Sequence, residues 1–460
     1  MTQTKNSLTY YITLIMLAVI PIVYFKTYIG PLPLSAEVVL IPLLVLSFVY
    51  DYRKGNIEFN RFNIRSFFIA FLLFLLAAIA SLVKAESLSP AVMEIARYLS
   101  YVFLFLILVK VKFSKEQYLN FAKAFGIAAL IVGLFGIFQY VFNFSLNKAG
   151  LYALKEAKGR VDSTLINPNY YSSFLNFVIP TLLLLAVVYF KEKKVQLMFF
   201  AFYAIYVINL ILTYTRAAWV TMIGGLLLIL MIMPKKFIKG FIKPHILLSF
   251  IALTIFVYFM PDVQERTHSA LYAIEKLVFK NTSSVISGPV FGDDDEGDET
   301  TDEEMVEEDE TTNRAVVSRV TLWKTGWVMF RDNPVLGVGM GNYYVRYKDF
   351  VTKYPELDIG HEAYSVHNSY LKVAAETGTI GLMTFMAIYV LFFLQVAKLY
   401  FAQRERLGKV LAAGLFVGAA TFMVQNLSNN LMFIPQLNVI FWLVSALVIA
   451  FLHQLKEQAL

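Results

Sequence analysis

Cysteine is absent from the 460 residues. That excludes disulfides, thiolate metal sites and a cysteine nucleophile. Charge is also scarce: Asp, Glu, Lys and Arg make up 16% of the chain, against about a quarter in a soluble domain. The five histidines, His245, His268, His361, His367 and His453, are scattered, and the 361/367 pair alone invites thought of a metal. No P-loop motif is present. The first apolar run, from Leu8 to Phe25, lacks the small-residue cleavage site of a secretory signal and reads as a retained helix.

What the chain has is hydrophobicity, with 58% apolar residues and a mean hydropathy of +0.62. About 20 apolar residues cross a bilayer as a helix. Runs of that kind fall near 8–25, 34–50, 66–83, 92–109, 119–142, 172–190, 195–213, 217–233, 245–260, 378–397, 409–427 and 433–452. Backbone groups in lipid must be satisfied within their own segment, so the runs predict helices. The expected fold is an all-α polytopic membrane protein of about twelve transmembrane helices. Helices one to nine occupy 1–260, a large extracytoplasmic loop with short helices spans 261–377, and helices ten to twelve occupy 378–460.

Lys and Arg set the orientation. Loops after even-numbered spans carry Arg53, Lys54, Arg61 and Arg65, then Lys110, Lys112 and Lys115, with further clusters at 191–194, 235–243 and 398–409. The short loops after spans one, three and eleven hold only Lys26 and Lys84. Both termini are therefore expected in the cytoplasm. The net charge of +7 follows this topology and gives no reason to expect nucleic acid.

The long loop contains DDDEGDETTDEEMVEEDE at 293–310, thirteen acids in eighteen residues. Such a run predicts a solvated, disordered arm over about 292–312. It fails the calcium-loop pattern, because counting back from Gly297 puts Gly292 at position one.

Several polar residues share the expected outer side. Arg216, in LTYTRAAW, falls where the seventh span meets the outer leaflet, and a guanidinium at that depth is a functional candidate by default. Arg160, Asp162, Asn167 and Asn169 lie in GRVDSTLINPNYYSSF before the sixth span. Arg319 and Trp323 sit one turn apart on a predicted interfacial helix over 313–331. The GVGMG of 337–341 follows no strand, so it predicts a tight turn rather than a dinucleotide fingerprint. His367 and Asn368 precede a helical pattern that carries Glu376 toward the tenth span. On local sequence His367 stays open to a structural or a catalytic role, Glu376 reads equally as an interfacial acid, and Arg160 as a snorkelling cation. Arg97 is expected to pair with Glu94 one turn earlier. Three arginines near lipid suit an anionic headgroup, since guanidinium bonds phosphate in a fork, and histidine is the usual base for a hydroxyl near neutral pH.

These residues resemble the O-antigen ligase and polymerase superfamily of bacterial envelope glycosyltransferases. The matching pieces are G-R-x-D-S-T-x-x-N-P-N at 159–169, T-x-T-R-A-A-W at 213–219, S-R-x-x-x-W at 318–323, N-P-x-x-G-x-G at 333–339 and H-N-x-Y-L-x-x-x-x-E-x-G at 367–378. The acidic arm departs from the pattern. The resemblance implies a multi-pass enzyme of the bacterial cytoplasmic membrane that takes an undecaprenyl-pyrophosphate-linked oligosaccharide as donor. Arg216 and Arg319, with Arg160, would grip the pyrophosphate, and His367 would activate a hydroxyl of a glycan or lipid acceptor. Asn167, Asn169, Trp323, Asn368 and Glu376 would support them. No metal or cofactor is called for, and other envelope polysaccharide assembly proteins are a further partner class. Two other readings remain: a lipid-linked glycan flippase or other transporter, and a partner-binding platform built on the acidic arm. Few central charges and no visible internal repeat weigh against transport.

Overall fold

A computed structural model of the chain describes residues 7–23, 26–29, 32–146, 150–151, 159–260, 319–360 and 365–458. The predicted acidic arm, His268 and His361 lie outside the described residues. Helices fill nearly all of the rest: α1 (Leu8–Val19), α2 (Ala36–Arg53), α3 (Arg65–Ser81), α4 (Leu88–Lys110), α5 (Lys115–Phe142), α6 (Pro168–Leu184), α7 (Lys193–Leu212), α8 (Arg216–Ile232), α9 (Pro234–Phe241) and α10 (Pro244–Tyr258). They continue with α11 over 319–332, α12 (Tyr343–Lys353), α13 (Ser369–Ala402), α14 (Arg406–Gln425) and α15 (Pro435–Gln458).

Each of the twelve predicted apolar runs holds a helix. Among the described residues, eight of these helices are long and apolar enough to cross a membrane, or nine if α8 and α9 count as one bent span. The others fall short for visible reasons. α1 has 12 residues and α10 has 15, below the length a bilayer asks for, and α2 carries Glu37, Asp51 and Arg53. A further departure from the all-α expectation is an antiparallel hairpin of β1 (Lys26–Ile29) and β2 (Leu32–Ser35).

α6 and α15 form the interior of the bundle, buried along about four-fifths of their apolar windows, whereas α5 is buried along only a third. α14 packs on α6 through a G-x-x-x-G pair. A Cβ at Gly414 would lie 2.4 Å from Thr181 Oγ1, and one at Gly418 2.3 Å from the Phe177 carbonyl oxygen. Without side chains the two backbones approach closely enough for dispersion to hold them in lipid, where no hydrophobic effect acts between helices.

A second small core lies beside the bundle. Leu322 and Met329 of α11, Tyr343, Tyr347 and Phe350 of α12, and Val366 and Ala375 pack together. The GVGMG segment joins α11 to α12 and is the turn its glycines predicted, with φ of +69° at Gly337, +103° at Gly339 and +72° at Gly341. It is tied to α13 by Val338 N–H to the Ala375 carbonyl (2.8 Å) and Gly339 N–H to the Glu376 carbonyl (3.0 Å). α13 answers with a glycine of its own: Gly378 has φ +66° and interrupts the helix, and a Cβ there would stand 2.2 Å from the Val335 carbonyl oxygen. Gly378→Ala is therefore expected to cost about 2–4 kcal/mol through left-handed strain plus overpacking. A thermal unfolding midpoint unchanged from the native protein would contradict this.

Candidate functional site

Three segments distant in sequence meet at one end of the bundle. The first is the 159–169 stretch. Val161 N–H donates to the Leu212 carbonyl, drawing the segment along the end of α7 (3.0 Å). Ser163 and Ile166 take left-handed φ of +49° and +59°. Asn167 then caps α6, accepting from Asn169 N–H, with Pro168 at the first helical position, where its missing N–H costs nothing.

The second segment is the turn between α7 and α8. Tyr214 has φ +46°, which reverses the chain and makes Thr215 the N-cap and Arg216 the first residue of α8. Arg160 clamps this turn: its Nε donates to the Thr213 carbonyl (2.9 Å), and Nη2 donates to Thr215 Oγ1 (3.0 Å) and Asn169 Oδ1 (3.2 Å). Trp219 Nε1 donates to the Leu210 carbonyl, fixing the far side. Arg160 thus spends at least part of its fork on protein, and it holds the loop that presents Arg216.

The third segment joins α11 to α13. Arg319 opens the described part of α11, and Trp323 follows one turn later, where its indole N–H donates to the His367 carbonyl (3.3 Å). A Cβ at Gly326 would press 2.9 Å from Val366, so α11 lies directly against the segment that leads through His367 into α13. His367 has φ +51°, a conformation that non-glycine residues rarely adopt. It is sustained on its other side by Asn368, whose side chain caps α13 by accepting from Tyr370 and Leu371 N–H, both at 3.0 Å. Ser369 anchors the same corner on the α14–α15 loop through Asn426, backbone to backbone (2.9 Å) and hydroxyl to Oδ1 (2.6 Å).

The electrostatics connect these groups. Burial, and then the like charge of Arg216, hold the Arg319 guanidinium below its ordinary value. Burial, and then the positive Arg319, pull His367 down to about 4. The imidazole is therefore neutral at pH 7, with a ring nitrogen available to accept a proton. The free base is present above about pH 4 and is lost as pH falls through that value. The His367 ring, followed by NMR, is expected to titrate near pH 4 rather than at histidine's usual 6.5. In Arg319→Ala the midpoint should move upward, because one cause of the depression is gone. A midpoint at 6.5 in the native protein would contradict the environment described.

His367, Arg216, Arg319, Arg160, Asn169, Trp323 and Asn368 thus belong to one locality. Glu376 faces elsewhere. It is 1% exposed, both its oxygens lie 2.7 Å from Lys372 Nζ, and Oε1 also accepts from Tyr343 N–H. It joins α13 to the start of α12 rather than facing the arginines. Arg97 pairs with Glu94 at 2.9 Å as expected. The pair lines a cavity of about 40 Å³ under Met340, between α3, α4, α13 and α15, which borders neither His367 nor the three arginines. Among the described residues no cluster of three metal-binding side chains occurs.

Sequence reasoning missed Lys372 and Asn426, and it quoted Thr213 and Thr215 only as part of a motif, with no role assigned. Lys372 had a signal, since it precedes Glu376 by four residues on one helix and i,i+4 pairs face each other. Asn426 had none, because its partner lies 57 residues away.

A family model described as O-antigen ligase matches residues 199–386, a stretch that contains Arg216, Arg319, Trp323, His367, Asn368 and Glu376. No curated protein matches the chain.

Proposed function

From a multi-pass membrane protein that carries the O-antigen ligase match across residues 199–386, we propose a glycosyltransferase that uses a lipid-pyrophosphate-linked glycan at the outer face of the bacterial cytoplasmic membrane. The observation that carries this reading is the electrostatic group itself: Arg319 feels Arg216, and His367 feels Arg319. A neutral base beside one cation, which in turn neighbours a second, suits a reaction that takes a proton from one partner and leaves negative charge on the other.

The donor is an oligosaccharide on undecaprenyl pyrophosphate, lying with its isoprenoid in the outer leaflet. Arg216 and Arg319 grip the pyrophosphate in forked hydrogen bonds, while Arg160 keeps the 213–216 turn in place. An acceptor hydroxyl gives its proton to His367, and its oxygen attacks the anomeric carbon from the face opposite the phosphate. The new glycosidic C–O bond forms as the bond to pyrophosphate breaks. The leaving group takes the electron pair, and the configuration inverts. Preorganised guanidinium groups stabilise the charge as it develops on the leaving oxygen, so the step as written needs no metal. The segment 261–377 lies outside, and both termini face the cytoplasm, in keeping with the lysine and arginine distribution. The acceptor is a second lipid-linked repeat in a polymerase or a different envelope molecule in a ligase.

The test is transfer by purified protein in liposomes supplied with an undecaprenyl-pyrophosphate-linked oligosaccharide. A ladder of longer lipid-linked glycans is the expected result for a polymerase, and a single transfer to an added acceptor for a ligase. If neither product forms while labelled donor crosses the bilayer, the protein is a flippase.

A further inference from the structure

The end of α8 carries a feature that glycosyl transfer does not use. At Ile232 the chain turns through 112° into α9, so α9 runs across the axis of α8 rather than extending it. Gly240 holds it there, because a Cβ at that position would stand 2.1 Å from the Val187 carbonyl oxygen at the π-helical end of α6. The sequence PKKFIKGF then divides the short helix into three sides. Phe237 and Gly240 are buried against the bundle. Ile238 and Ile242 are 50% and 61% exposed. Lys235, Lys236 and Lys239 are exposed on the adjoining arc, and the 100° step per residue brings Lys235 to within about 20° of Ile242 and about 60° of Ile238.

The positive charge continues beyond α9. Lys243 donates to Gln196 Oε1 (3.2 Å), and the His245 ring lies 2.9 Å from the same oxygen, at a site that also feels Lys193. Among the described residues none of these lysines forms a salt bridge, and Glu192, the acid nearest Lys193 in sequence, forms none either. A topology signal needs only lysines in a loop. Here they are held on a short helix packed against the bundle, with exposed isoleucines beside them, which gives an anion and an apolar chain adjacent places to rest.

We propose that α9, with Lys243, is a binding site for an anionic phospholipid, the phosphate headgroup lying on Lys235, Lys236 and Lys239 and the acyl chains against Ile238 and Ile242. Each lysine near an anionic surface strengthens attraction roughly fivefold, so three together outweigh a zwitterionic competitor. The site is separate from that of His367, and its occupancy does not depend on the transfer reaction.

The experiment is native mass spectrometry of the full chain from nanodiscs of phosphatidylglycerol mixed with phosphatidylcholine. The native protein is expected to retain phosphatidylglycerol at least tenfold in preference. The triple variant Lys235→Gln, Lys236→Gln, Lys239→Gln should lose that preference. The matching Lys→Arg triple should keep it, as should Lys54→Gln, Lys112→Gln, Lys115→Gln, which removes the same charge elsewhere. Equal retention of the two lipids by the native chain would overturn the proposal. So would undiminished preference in the α9 glutamine triple, or equal loss in the arginine triple or the distant triple.

Discussion

His367→Ala should lower glycan transfer by about 10²- to 10⁴-fold, the usual contribution of a positioned base, while the protein accumulates normally in the membrane. A structural role for His367 predicts a different pattern, and a second variant separates the two. The residue's φ of +51° is one that asparagine also tolerates, and the bond from Trp323 reaches the backbone carbonyl rather than the ring. His367→Asn should therefore keep the corner, its cap on α13 and the native unfolding midpoint, yet stay as inactive as alanine because an amide does not accept the proton. Activity restored by asparagine would make His367 a conformational residue. Trp323→Phe offers a graded comparison: it removes the donor to the His367 carbonyl, and a decrease of about fivefold is expected, the effect of one lost hydrogen bond of roughly 1 kcal/mol.

Arg216→Ala and Arg319→Ala should each cost about 10²- to 10³-fold in transfer, as removal of a donor to developing negative charge does elsewhere. Lysine should recover little at either position, because an ammonium has no planar fork to match a phosphate. Full activity in Arg216→Lys would remove forked recognition from the mechanism. The two arginines also make a prediction that needs no turnover. Arg319 is half-buried and its neighbour Arg216 carries the same sign, so an anion placed between them lowers their repulsion, and inorganic pyrophosphate should raise the unfolding midpoint of the native chain. In the double alanine variant this rise should vanish. A rise of equal size in both proteins would mean that the anion binds elsewhere.

How much of this was legible in the sequence follows from the range of the interactions. Hydropathy is local, so all twelve helical positions could be read from runs of apolar residues. Not all of their ends could. The helical pattern after Asn368 did mark the start of α13 at Ser369, but the break at Gly378, absorbed by packing against Val335, was not visible in it. α1 stops at Val19 although the apolar run continues, and Pro21 follows. In the site, arginines and a histidine stand out in a chain with little charge, and the short motifs around them were visible. What they touch was not. That Arg160 serves the 213–215 turn, that Glu376 reaches Tyr343, and that Asn426 secures Ser369 all depend on pairs brought together only by the folded bundle. The hairpin over 26–35 was hidden by the apolar character of its surroundings.

The contact between the 335–339 turn and the middle of α13 has a consequence for traffic. Gly378 meets Val335 at a separation no Cβ could occupy, Gly337 meets the backbone of Ala375 and Glu376 in the same way, and Thr379 closes the joint by donating to the Pro334 carbonyl through both its N–H (2.8 Å) and its hydroxyl (2.8 Å). A tongue fitted into a slot does not swing. The layer made by α11 and α12 is thus riveted to the shaft of α13, and it does not open like a hatch to admit a substrate from above. In the proposed reaction, a donor carried on a lipid therefore comes in from the side, with its tail still in the bilayer.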